Sequence, residues 1–239
     1  MPTANTTFVH GLCSAAAVAA VTLTSSVGSA SKPRTHDDFY FRGGVGAGYL
    51  VSDLQFEGPL GELDASGVAL TYELAFGGTP APGLVVGGAS YGALMPSLTA
   101  EGSGGAELDG SQWVVPVGPV LGYVGPFIDF YPVPTGGFHV QWSMAFAMSS
   151  SSYERADGAE VDFDAVGWTA MFGLGYDFWV DDEWSLGALA RAQYTSLHAG
   201  SVTLSSASGS ASGSGSGTQH TDVDQSAWLP ALLITATYH

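Results

Sequence analysis

Phe138 to Met148 reads FHVQWSMAFAM, with a bulky apolar residue at every second position (Phe138, Val140, Trp142, Met144, Phe146, Met148) and His139, Gln141, Ser143, Ala145 and Ala147 between them. A period of two belongs to a β-strand, whose successive side chains point to opposite faces. The two faces here are unlike. In a soluble protein the bulky one would turn into a core, and in a membrane barrel it would turn out to lipid. The rest of the chain has to choose between them.

Outward from this stretch the alternation recurs, giving eight segments: residues 39–51, 68–77, 84–98, 112–130, 138–148, 166–179, 184–197 and 228–239. In the glycine-rich third, Val85, Ala89, Tyr91, Ala93 and Met95 are the expected bulky face. In the fourth, Pro116, Pro119 and Pro126 each remove a ladder donor and predict bulges. The connections alternate too. Residues 78–83, 132–136 and 180–183 are short and carry turn chemistry, while residues 52–67, 99–111, 149–165 and 198–227 are long and polar. The last includes SSASGSASGSGSG, Ser205 to Gly217, which has nothing to bury and is expected to be flexible. Strict alternation puts all the short turns at one end of the sheet, the asymmetry of outer-membrane barrels.

Charge follows the same division. Only 11% of residues are charged against 46% hydrophobic, and the formal net charge is −17. Fourteen of the 22 acidic residues fall in the four long connections, and within the segments only Glu73, Asp129 and Asp177 occur. So acidic a chain, with a single lysine, is unsuited to nucleic acid, which is gripped by clustered Lys and Arg. No cofactor motif is present.

Two features choose the outward face. Bulky-parity aromatics gather at the segment ends, as interface girdles require: Phe39, Phe41, Phe76, Phe138, Phe178, Trp184 and Tyr238 at the short-turn end, and Trp113, Trp168, Tyr194 and Trp228 at the long-connection end. The other parity is Gly, Ala, Ser and Thr with few charges, unlike a soluble exterior. Small side chains fit the narrow interior that eight strands enclose. The expected fold is therefore all-β, an eight-stranded antiparallel up-and-down transmembrane barrel with short periplasmic turns and long extracellular loops. A soluble lipocalin-type barrel would need the two faces reversed.

The N-terminus reads as an export signal over residues 1–30. Gly11 to Leu23 is an apolar run too short to span a bilayer as a helix, and Gly28-Ser29-Ala30 offers small residues for cleavage, although no Lys or Arg precedes the run. Residues 31–37 then form a short periplasmic segment and residues 38–239 the barrel domain. The only cysteine, Cys13, falls inside the signal, so no disulfide is expected.

LLITATYH, Leu232 to His239, resembles the C-terminal strand that the outer-membrane assembly machinery recognises, with Tyr238 as the closing aromatic and His239 overhanging it. Residues 38–239 as a whole resemble the small eight-stranded outer-membrane proteins of the OmpA transmembrane-domain, OmpX and OmpW kind. The resemblance implies an integral place in the cell outer membrane, contact with lipid and lipopolysaccharide, assembly through Leu232 to Tyr238, and a monomer. Its OmpW branch also implies slow passage of small or apolar solutes.

Three groups are candidate sites. Arg42, Glu73, His139, Asp177 and Arg191 lie on the small parity near the short-turn end, with Arg42 beside Glu73 and Asp177 beside Arg191 on adjacent strands. They predict a polar plug of Arg–carboxylate pairs, since buried charges must be paired. Glu154, Asp157, Glu160, Asp162 and Asp164 form an acidic run that offers oxygen ligands to Ca²⁺ or Mg²⁺, but it lacks EF-hand order and reads better as a solvated loop. Ser196, His198 and Ser201 bring a hydroxyl near an imidazole, without a nucleophile-elbow motif. The expected function is accordingly a non-enzymatic barrel with a structural or surface-interaction role, its lumen closed. A narrow channel or carrier for small or apolar solutes is the alternative, with an opening expected at the glycine-rich third or proline-broken fourth strand.

Overall fold

The computed structural model describes residues 34–36, 39–56, 62–96, 99–102, 120–154, 160–199, 202–205, 217–219 and 222–239, all within one body, Pro33–His239. The export-signal stretch, Trp113, Pro116, Pro119, Asp157, Ser201 and the interior of the Ser/Gly run lie outside the described residues.

Eleven strands are present among the described residues: β1 (Phe39–Phe56), β2 (Glu62–Ala81), β3 (Leu84–Leu94), β4 (Thr99–Gly102), β5 (Val120–Phe130), β6 (Phe138–Glu154), β7 (Glu160–Trp179), β8 (Trp184–Ala199), β9 (Val202–Ser205), β10 (Gly217–Gln219) and β11 (Val223–Tyr238). Eight of them, β1, β2, β3, β5, β6, β7, β8 and β11, pair antiparallel in that order, and β11 returns to β1 to close the barrel. Closure removes both edges, so the backbone polar groups bond between strands, the condition for crossing lipid as a sheet. β4 pairs with β2, β9 with β7 and β10 with β9, at the end opposite the short turns.

The strands outrun the alternation that predicts them. β6 and β7 pair continuously from Phe138↔Tyr176 to Glu154↔Glu160, leaving only residues 155–159 of the expected long connection. Likewise β1 and β2 stay paired to Gln55↔Glu62, and 57–61 remain between them. About 9–11 residues suffice to cross the hydrocarbon, so these hairpins stand well clear of it. Above lipid the outward parity turns polar at Asp53, Asp164 and Asp224 while Leu54, Ala165 and Val223 stay buried inside. The apolar parity changes sides there while the backbone ladder continues.

The outer face is apolar through the middle of the barrel. Val45, Ile234, Leu232, Trp142, Met144, Phe146, Phe172 and Leu174 are all exposed, Ile234 at 71% and Val45 at 67%. In water such a belt would be a large aggregation surface, and in lipid it is the surface a spanning protein presents. β3 departs from the expected parity. Val85, Ala89, Tyr91, Ala93 and Met95 are buried inside, while Val86 and Leu94 are exposed outside. Gly88, Ser90 and Gly92 share that outer face, and the Tyr72 ring of β2 lies across its ladder partner Gly92. A neighbour's aromatic thus supplies the apolar cover that glycine lacks.

Proline acts differently from expectation. At Pro126 the β5–β6 ladder stops after Val124↔Phe146 and resumes at Phe127↔Ser143 in the same register, so there is a gap and no bulge. Pro230 makes a similar gap in the closing seam, where β1–β11 pairing lapses between Gly48↔Ala231 and Val51↔Trp228. The register shift in β2–β3 lies instead between Gly78 and Ala81, beside the Pro82-Gly83 turn, where Gly83 takes φ 77°. That left-handed conformation suits glycine at this position.

Candidate functional site in the lumen

The small parity of the barrel meets in an interior whose two ends differ in chemistry. Toward the long connections Leu50, Leu54, Met95, Leu121, Leu197 and Leu229 are buried against one another and against alanines. Toward the short turns the interior is ionic. Arg42, Glu73, Asp129, His139, Asp177 and Arg191 are all buried.

Arg42 is the hub. From β1 its guanidinium pairs with Asp129 of β5, lies 3.2 Å from Glu73 Oε1 of β2, and places Nη1 3.4 Å from His139 Nδ1 of β6. Asp129 also accepts from the Tyr40 hydroxyl at 3.1 Å, and its Oδ1 is 2.8 Å from His139 Nδ1. Glu73 also accepts from Gln141 Nε2 at 2.9 Å and from Arg191 Nη1 at 3.2 Å. Asp177 accepts from the Tyr131 hydroxyl at 2.9 Å and stands 3.8 Å from His139 Nε2. Arg191 lies 5.2 Å over the Tyr91 ring, a cation–π contact. Three carboxylates thus face two guanidiniums and an imidazole, and the network crosses the lumen between strands that are not neighbours.

One expected partnership differs. Arg191 reaches Glu73 and not Asp177, because their ladder places Arg191 opposite Gly173 and Asp177 opposite Gly187, four residues apart. That is roughly 13 Å along a strand. Asp129, Tyr40, Tyr131 and Gln141 complete the network and were not singled out as site residues from sequence. Asp129 carried a signal, being one of only three acidic residues inside the segments, but the prolines of its strand hid its parity. Gln141 shares the face of His139 two residues away. Tyr40 and Tyr131 had no signal, since aromatics here occur on both faces.

Two groups of outward aromatics lie at the ends of the spanning strands, with Trp142 and Phe172 paired in the middle of the belt between them. At the short-turn end the Phe41 and Phe76 rings are 5.0 Å apart, Phe39 lies 6.3 Å from Tyr238, and Tyr238 lies 5.4 Å from Trp184, with Phe138 and Phe178 exposed nearby. Phe130 and Tyr176 share that exposed surface. At the other end Tyr194 is 5.6 Å from Trp168 and 5.0 Å from Trp228. Above that row, on the same outward face, His198 Nδ1 lies 2.8 Å from Asp224 Oδ1, both exposed, with Ser196 two residues before it. Of the acidic run, Asp164 is exposed. Asp157 is outside the described residues, as are the side chains of Glu154, Glu160 and Asp162. Among the described residues no group of three His, Cys, Asp or Glu is placed to hold a metal ion.

A closed antiparallel barrel with a lipid-facing apolar belt and an ionic interior is an integral β-barrel of the outer-membrane type. No protein-family model matches the sequence, and no curated protein matches it. Among solved structures the chain is similar to the outer membrane protein OprG from Pseudomonas aeruginosa, with 13% identity over 85% of this chain and 97% of that one and a TM-score of 0.47. It is similar to Neisserial surface protein A with 11% identity over 84% and 96% of the two chains and a TM-score of 0.39. For the outer membrane protein AlkL the identity is 12%, the shares 90% and 96%, and the TM-score 0.39.

Proposed function

We propose that the protein serves the outer membrane as a structural or surface-interacting barrel whose lumen its ionic layer closes to solutes. The observation that carries this is Arg42, fully buried yet set among Asp129, Glu73 and His139 from three other strands. A guanidinium held across the lumen costs several kcal/mol to uncouple from its carboxylates, so the layer favours a permanent seal over a gate that opens in thermal fluctuations. The belt would contact lipid and lipopolysaccharide, the end segment Leu232 to Tyr238 would engage the assembly machinery, and the protein would act as a monomer. A non-enzymatic role fits the exposure of both His198 and Asp224, which gives that pair no desolvated pocket in which to activate a hydroxyl. Liposome swelling in an arabinose gradient tests the seal. Liposomes carrying the refolded barrel are expected to swell no faster than empty ones, and clear swelling would refute the closure.

A second function, a carrier for small apolar solutes, is favoured by one specific feature. The outer half of the lumen is lined by Leu50, Leu54, Met95, Leu121, Leu197 and Leu229, and the ladder gap at Pro230 lies in the wall beside it. Binding of an apolar fluorescent probe, quenched by Leu121→Asp, would support it. No saturable binding would remove it.

A further inference from the structure

His239 overhangs the closing aromatic in sequence, and neither the belt nor the ionic layer uses it. It is nevertheless buried, as is His36, which lies three residues before β1. The two histidines flank the seam at which β1 and β11 close the barrel, through Phe41↔Tyr238. Their Nδ1 atoms are 2.8 Å apart. His36 Nε2 lies 3.1 Å from the Gly136 carbonyl oxygen, and His239 Nε2 lies 2.9 Å from Ser185 Oγ. Tyr131 stacks on His36 at 3.5 Å, and Trp179 lies 5.0 Å from His36 and 4.7 Å from His239. Main-chain bonds tie both residues to the turns: His36 N–H to Pro134 O at 3.1 Å, Gly83 N–H to His36 O at 3.1 Å, and His239 N–H to Glu183 O at 2.9 Å.

These contacts fix the protons. A carbonyl only accepts, so His36 carries its hydrogen on Nε2 and its Nδ1 is an acceptor. His239 must then donate from Nδ1, which leaves its Nε2 to accept from the Ser185 hydroxyl. The chain Ser185 to His239 to His36 to Gly136 runs one way, with both rings neutral. A proton on His36 Nδ1 would set two N–H groups against each other at 2.8 Å.

We infer that His36 and His239 form an acid-labile clasp that holds the β1–β11 seam shut at the short-turn end. Burial lowers the pKa of His36 below 6.5, against the Gly136 hydrogen bond and the carboxylates of Asp177 and Asp129, which raise it. Burial takes His239 down to about 2, with His36, Arg42 and His139 adding to the fall and Asp129 opposing it. The other titratable groups packed here are Tyr40 of β1, Tyr131 of the β5–β6 turn and Glu183 of the β7–β8 turn, whose carbonyl accepts from His239 N–H and whose carboxylate accepts from the Tyr238 hydroxyl, with the exposed Arg34–Asp182 pair outside. The sign follows from both shifts being downward. Opening returns the histidines to water, where they titrate near 6.5, so the closed clasp binds fewer protons than the open one. Its closure is complete above 6.5 and weakens as pH falls below it, the open-to-closed ratio rising up to tenfold per pH unit for each histidine.

The test uses the full barrel refolded in detergent with ¹⁵N-labelled histidine. At pH 7.5 the spectra are expected to contain, beside the signals of the other histidines, one ring with its hydrogen on Nδ1 and one with it on Nε2, joined by a coupling across the Nδ1–Nδ1 bond, and both signatures are expected to vanish together on acidification. Absence of any such coupled pair at pH 7.5 would overturn the clasp. In parallel, the unfolding rate in urea of the wild type is expected to rise at least tenfold more between pH 7.5 and 5 than that of the His36→Phe/His239→Phe double variant. Equal pH slopes would also overturn it. If the double variant does not fold, the wild-type spectra decide the question alone.

Discussion

The two halves of the lumen are equally buried and chemically opposite. Near the short turns the interior is an ionic layer that crosses the barrel, and near the long connections it is uncharged among the described residues, an aliphatic cluster with Ser52, Gln193, Thr195 and Gln225 hydrogen-bonded among its leucines. Dispersion and burial make the aliphatic half tolerant, because each leucine contributes its own share and a lost one leaves a void. The ionic half is conditional, since each charge is stable only while its partners are present. An interior held by charge is therefore stiffer than one held by packing, and removal of single residues separates the two.

The largest effect is expected from Arg42→Ala, which leaves Asp129 and Glu73 facing each other without their shared cation. A loss of about 3 to 5 kcal/mol is expected in urea unfolding of the refolded barrel. An unchanged midpoint would mean that the groups are separately hydrated and that the halves do not differ in kind. Leu121→Ala in the aliphatic half is expected to cost about 2 to 3 kcal/mol, within the usual range for emptying a packed site. A cost as large as that of Arg42→Ala would erase the contrast. Tyr72→Ala, on the outer wall, uncovers Gly92 and is expected to lower stability by about 1 kcal/mol. No change there would show that lipid covers the glycine as well as the ring does.

The barrel was legible because alternation survives wherever one face meets lipid. FHVQWSMAFAM is exposed at Phe138, Trp142, Met144 and Phe146 and buried at His139, Gln141, Ser143, Ala145 and Ala147. β3 misled because its lipid face carries Gly88, Ser90 and Gly92 between Val86 and Leu94 while Tyr91 points inward, so size gave the wrong parity. The ionic layer was legible in part. Arg42, Glu73, His139, Asp177 and Arg191 stand out as charged or imidazole groups on a small-residue parity. Of their partnering, Arg42 with Glu73 followed from strand order, but Arg191 with Glu73 and Arg42 with Asp129 did not, because neighbour order in sequence says which strands touch, whereas strand tilt and a narrow lumen decide which side chains meet across it. Asp129 shows the cost: its main partner Arg42 lies 87 residues away. Strand length above the membrane was hidden because the outward parity turns acidic there and the apolar parity moves inside, which ends the bulky-outside pattern that marks the spanning part.

Single-channel recording of the refolded barrel in a planar bilayer at neutral pH tests the central claim most directly. A barrel sealed by the Arg42 network is expected to insert and give no resolved conductance steps, while Arg42→Ala, where it folds, gives steps. Discrete steps from the wild type would contradict the closed lumen and make the ionic layer the lining of a pore.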